Sequence, residues 1–205
     1  YITFHHPTLD GEIRLYSPNL ILFRVNPSKR KNHLCGSLKA AMKYIKEELP
    51  KINVYKPAWI VYNNSMKNEI TYLHGFRSFF DSNKPKVQTL SKLGPVDGPQ
   101  IDYENDSLSE IEEKVCAVRP VGDVLIGTSM GGWLAAHCGI KYGIPFVAIN
   151  PVTDPQNQSV GRYIRNVHDY PSFPIEGSRC GLILLDEGDD VLDSLSTFDM
   201  LKVAY

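Results

Sequence analysis

The residue best placed to do chemistry is Ser129, at the centre of Gly127-Thr-Ser-Met-Gly131. This is a Gly-x-Ser-x-Gly corner, in which a serine hydroxyl is displayed on a strained turn between a strand and a helix. The requirement is steric. The turn brings two backbone segments so close that a Cβ on either flanking residue would collide, so both flanks must be glycine. The flanking sequence suits such a corner: Val124-Leu-Ile126 is short and apolar, and Trp133-Leu-Ala-Ala136 favours helix. Gly132 adds a third small residue where the helix must pack. A hydroxyl so presented can attack a carbonyl, provided that a base takes its proton and that backbone amides receive the resulting negative charge.

A second group of such residues follows the apolar run Glu69-Ile-Thr-Tyr-Leu73, which passes straight into His74-Gly75-Phe76. The amides of Phe76 (or Arg77) and Met130 are candidate oxyanion donors, and glycine at 75 allows close backbone approach. His74 is expected to order this loop through hydrogen bonds rather than to transfer protons. A third group is the acidic turn Glu187-Gly-Asp-Asp190, after the run Gly181-Leu-Ile-Leu-Leu-Asp186. Asp189 there could hold a base in its working tautomer, with Asp190 beside it. His168 is the histidine of this sequence best placed to serve as that base. His137 falls on the helix after the corner at a packing position, and His5, His6 and His33 belong to the N-terminal third.

The elements that must carry these groups alternate. Strands are expected at 20–25, 58–62, 69–73, 121–126, 145–149 and 181–186. Helices are expected at 37–49, 82–93 (interrupted early by Pro85), 107–118, after Ser129, and at 196–203. Ser107-Leu-Ser-Glu110 has the form of a capping box. Leu38, Ala41, Met42, Ile45 and Leu49 recur at helical spacing, with Pro50 just beyond. Between Gly94 and Tyr103 only a poor strand candidate is visible. Residues 152–178, polar and punctuated by proline, suit a lid or a substrate-facing insertion.

Short apolar strands alternating with helices define an α/β fold, a three-layer sandwich around a mostly parallel sheet. Sites in such sheets form beyond the carboxyl ends of the strands, and Ser129, the His74-Gly75 loop and Asp189 all follow strands directly. Residues 1–68 read as an N-terminal strand–helix–strand extension that either continues the sheet or forms a small module. Residues 69–205 form the core.

Composition narrows the classes. A net charge of −1, with 22% charged and 42% hydrophobic residues, gives no footprint for wholesale binding of nucleic acid or anionic membrane. The cluster Lys29-Arg30-Lys31 reads as a solvated loop. There is no apolar run long enough to span a membrane. The four cysteines, Cys35, Cys116, Cys138 and Cys180, are scattered, which argues against a metal site or a disulfide framework and for mostly buried thiols in a reducing cytoplasm.

In order along the chain come Tyr72-Leu-His-Gly-Phe76 with Ser78, Ser82 and Lys84, then Gly127-Thr-Ser-Met-Gly-Gly132, Asn150-Pro151, and Gly188-Asp-Asp-Val-Leu-Asp193. Over residues 70–203 this set resembles the YqiA-type bacterial esterases, a compact group in the α/β-hydrolase superfamily. The resemblance implies a serine esterase or acyl thioesterase that acts on a small-molecule ester or thioester without a cofactor. It matches Ser129 to the nucleophile, Asp189 to the triad acid and His74-Gly75-Phe76 to the oxyanion loop. The family pattern also places a catalytic histidine some way past the acidic turn, and this sequence ends at Tyr205 before that position. Two alternatives follow: the histidine lies beyond the given stretch, or the protein is a non-catalytic binding relative. Residues 1–68 have no counterpart in the compact group and are a candidate surface for a protein partner.

Overall fold

The computed structural model describes residues 2–5, 11–17, 20–25, 69–118, 124–173, 181–186 and 197. The described strands form one eight-stranded sheet: β1 (Ile2–His5), β2 (Gly11–Ser17), β3 (Leu20–Val25), β4 (Ile70–Leu73), β5 (Val96–Asp97), β6 (Val124–Thr128), β7 (Phe146–Ile149) and β8 (Gly181–Asp186). Their order is β1-β2-β3-β8-β7-β6-β4-β5. The two pairings of β2 are antiparallel and the other five are parallel. With helices packed on this sheet, the architecture is the α/β sandwich expected from the alternation of elements.

The N-terminal strands belong to this same sheet. β3 runs parallel to β8 from Leu20 opposite Gly181 to Val25 opposite Asp186, so the sheet crosses the boundary placed at residue 68. The hairpin of β1 and β2 escaped the sequence reading, although Glu12-Ile-Arg-Leu15 alternates polar and apolar residues as a strand should. The helix expected at 37–49, the strand at 58–62 and the basic cluster at 29–31 lie outside the described residues. So does the helix expected at 196–203, except Thr197, which is helical and buried.

Three helices are described: α1 (Pro85–Leu90), α2 (Leu108–Val118) and α3 (Met130–Tyr142). Pro85 does not interrupt α1 but begins it, a position where its missing N–H costs no helical bond. α2 opens on the anticipated capping box. The Glu110 carboxylate accepts from the Ser107 amide at 2.8 Å and from its hydroxyl at 2.7 Å, and the Glu110 amide donates back to the Ser107 hydroxyl at 3.3 Å. Ile111 and Val115, four residues apart on one face, are buried. α3 is apolar nearly all round, with Trp133, Leu134, Ala135, Ala136 and Cys138 buried. It ends at Gly143, which takes the left-handed conformation at φ 69°.

The two helices are joined across their packed faces. The Glu112 carboxylate lies 2.7 Å from His137 Nε2 and accepts from Lys141 Nζ at 2.6 Å. His137 also stacks on Trp133 at 5.1 Å between ring centroids, so it is a packing histidine. Cys138 is buried, and burial pushes its thiol up to about 12. Cys116, by contrast with the expected burial, is exposed. No helix among the described residues is long and apolar enough to cross a membrane.

Candidate active site

Parallel pairing brings the carboxyl ends of β4, β6 and β7 to one edge. Leu73 pairs with Gly127, and Thr128 with Ile149. The residues that follow, His74, Ser129 and Asn150, therefore meet there. Ser129 has φ 55° and ψ −121°, a conformation that a residue bearing a Cβ rarely adopts. The surrounding backbone enforces it. The Ser129 amide donates to the Ile149 carbonyl at 2.9 Å, and the Ser129 carbonyl accepts from the amides of Gly132, Trp133 and Val152 at 2.9, 3.1 and 3.2 Å.

The flanking glycines have the role their positions implied. A Cβ on Gly127 would stand 1.8 Å from the Gly131 carbonyl oxygen, and one on Gly131 would stand 2.1 Å from that of Leu73. At Gly132 the nearest atoms are those of Pro151, at 3.2 Å, so this glycine admits the loop after β7. The corner thus has the strained strand-to-helix geometry that its sequence implied.

Gly75 lies against the serine. A Cβ there would be 3.2 Å from the Thr128 carbonyl oxygen and 3.9 Å from Ser129 Oγ. Among the described residues, the amides of Phe76, Arg77 and Met130 donate to no backbone carbonyl. Met130 begins α3, where the first amides lack helical acceptors. Its side chain is fully buried in the core, so the amide is the part of this residue that chemistry could use.

His74 orders the loop. Its Nε2 accepts the Ile101 amide at 3.1 Å, which assigns the remaining proton to Nδ1, and Nδ1 then donates to the Gly75 carbonyl at 2.9 Å. The His74 carbonyl accepts from the buried Tyr103 hydroxyl at 3.0 Å. Burial lowers the pKa of His74 most; the Gly75 bond opposes this and the charge of Lys84 adds to it. A neutral imidazole with both nitrogens engaged is a brace for the loop, not a proton carrier.

A cleft of about 470 Å³ opens over the serine, lined by Gly75, Phe76 and Ser129 together with Tyr72, Ser78, Lys84, Pro85, Lys86, Thr128, Ile149 and Asn150. The Tyr72 hydroxyl and Thr128 Oγ1 are 3.0 Å apart beneath it. Asn150 has φ 42°, a conformation that asparagine tolerates better than most side chains. Tyr72, Thr128, Ile149 and Asn150 stand outside the residues whose types suggested a chemical role. Their position at the carboxyl end of β4, β6 or β7 was the available signal.

Asp189, Asp190 and His168 are the remaining candidates. Asp189 and Asp190 fall outside the described residues; the preceding strand β8 is described to Asp186, beside β7 in the sheet. His168 sits in a short 3-10 turn (Val167–Asp169), exposed, and is not among the residues lining the cleft. The segment carrying it turns Ile164, Tyr170 and Phe173 inward. The Trp133 indole of α3 donates to the Pro171 carbonyl at 3.0 Å and so ties the segment down.

A parallel-sheet protein with a serine elbow set beside a glycine-containing loop is the class that fold and site define. Within it, the chain belongs to the uncharacterised protein family UPF0227, the YqiA-type family, whose model matches residues 69–205. Similar proteins include UPF0227 proteins of Yersinia pseudotuberculosis serotype O:1b and of Yersinia pestis biovar Antiqua strain Angola. Each is 33% identical over 151 residues, covering 66% of this chain and 83% of the relative.

Proposed function

We infer that the protein is a serine hydrolase of the α/β-hydrolase type, an esterase or acyl thioesterase whose nucleophile is Ser129. The observation that carries this reading is the strained backbone of Ser129, at φ 55°, held at the floor of a cleft by hydrogen bonds to its own peptide groups. Such strain is stabilised at functional corners and has no evident structural use here.

In this reading Ser129 Oγ attacks the carbonyl of a bound ester or thioester as a base removes its proton. The amides of Met130 and of Phe76 or Arg77 receive the charge on the tetrahedral oxygen. The base returns that proton to the leaving alcohol or thiol, then deprotonates a water that attacks the acyl-serine, and the carboxylic acid departs as the proton returns to Ser129 Oγ. Asp189 is the carboxylate that would orient the base, following the order Ser–Asp–His. The base that this chemistry requires is a histidine ordered by that carboxylate, and the exposed His168 does not line the cleft.

The test is hydrolysis of a short-chain aryl ester by the parent and by Ser129→Ala. The alanine variant is expected to fold normally and to lose turnover by roughly a thousandfold or more. Equal rates would refute the assignment. A protein inactive in both forms would fit the alternative of a binding protein on a hydrolase fold.

A further inference from the structure

The cleft over Ser129 also contains a lysine held for a purpose that the chemistry at the serine does not use. Lys84 is half-buried in the cleft lining. Its Nζ donates to Ser78 Oγ at 3.1 Å and to the Phe79 carbonyl at 2.8 Å, and lies 3.5 Å from the centroid of the Phe79 ring. An ammonium has three donors, and two of these are spent on neutral acceptors. Among the described residues no carboxylate stands within ion-pair distance of Lys84. The positive charge is therefore fixed in place and, among the described residues, has no carboxylate partner, in a cleft whose other lining includes the apolar surfaces of Phe76, Pro85 and Ile149.

Fixing a lysine opposes its side-chain entropy, and a hydroxyl and a carbonyl that solvent could equally serve give little return for that. What the arrangement supplies is a directed cation at a set place beside the nucleophile. We propose that Lys84, positioned by Ser78 and Phe79, is a specificity-determining residue that binds an anionic oxygen group of the substrate, so that the preferred substrate is an ester with an apolar portion and a negatively charged one. This rests on the reading of the cleft as an ester site and goes beyond it by naming the substrate's charge.

The experiment measures binding in the Ser129→Ala background, so that the probes persist and the outcome does not depend on turnover. Calorimetric titration compares neutral 4-nitrophenyl valerate with two anionic probes, mono-4-nitrophenyl glutarate (charge on the acyl side) and 4-(valeryloxy)benzoate (charge on the leaving side). At least one anionic probe is expected to bind about tenfold more tightly than the neutral one, with the advantage shrinking as salt is added. Adding Lys84→Gln should collapse that ratio towards one, and Lys84→Arg should restore most of it. Equal affinities for all three probes, or a ratio unmoved by Lys84→Gln, would overturn the proposal. Release of nitrophenolate by Ser129→Ala as fast as by the parent would instead count against Ser129 as nucleophile, and the binding ratio would still report on Lys84.

Discussion

Gly75 faces Ser129 across the carboxyl ends of neighbouring strands: a Cβ on the glycine would stand 3.4 Å from the serine Cβ and 3.9 Å from its hydroxyl. The loop that would receive an oxyanion and the corner that would generate it are thus neighbours, with room between them for about one methyl group. Gly75→Ala is expected to fold, since the added methyl meets neighbours at 3.2 Å or more and they can yield by tenths of an ångström. It should nonetheless lower ester turnover roughly ten- to hundredfold by shifting loop and serine apart. Stability by urea titration and kcat/KM, measured side by side, check this. Parent-like turnover would separate the loop from the chemistry.

Gly131 and Gly143 offer a contrast between packing and conformation. A methyl on Gly131 would press on the Leu73 backbone at 2.1 Å, where nothing can move aside. Gly143 has open space around it and only its φ of 69° to lose. Gly131→Ala should destabilise by more than about 3 kcal/mol, and Gly143→Ala by about 1 kcal/mol. Chemical denaturation of the two variants should show this order, and the reverse order would mean that the corner is not as tightly built as described.

Burial depresses the pKa of His74 below its ordinary 6.5, so the unfolded chain takes up the proton more readily than the folded one. Stability linked to this group is complete above about 6.5 and is lost as pH falls below that value towards the folded pKa. Unfolding free energy should therefore decline from pH 7.5 to 5.5, and more steeply in the parent than in His74→Gln. A slope identical in both would show that His74 is not the group responsible.

Glu112 follows the opposite rule. Burial alone would raise its pKa, but the hydrogen bonds from Lys141 and His137 outweigh that and lower it below 4.5. Its contribution is present above about 4.5 and disappears as pH falls through the folded value. Glu112→Gln should cost about 1–2 kcal/mol at pH 7.5, and the gap from the parent should narrow towards pH 4. A gap unchanged with pH would assign the loss to packing rather than to charge.

What the sequence disclosed was local. The elbow, the capping box at Ser107 and Glu110 and the apolar strands are each written within a few neighbouring residues, because sterics and hydrogen bonding act at short range there. β5 was nearly invisible because it is two residues long and exists through its pairing with Ile70 and Thr71. Pro85 reads as an early interruption of a helix over 82–93, yet it begins the helix, because where the chain enters that turn is not set by its immediate neighbours. The bonds from Ile101 to His74 and from His137 and Lys141 to Glu112 join residues 25 to 29 apart, and no spacing rule announces them. Lys84 read as one residue of a family block; its orientation towards Ser78 and Phe79 came from the fold of the loop.

An activated serine at 129 would react covalently with a phosphonylating agent. The protein is incubated with a fluorophosphonate, digested and analysed by mass spectrometry. One phosphonyl adduct is expected, on the peptide containing Ser129 and absent from Ser129→Ala. An unlabelled Ser129 in folded protein, or an adduct confined to another residue, would contradict the assignment of Ser129 as nucleophile.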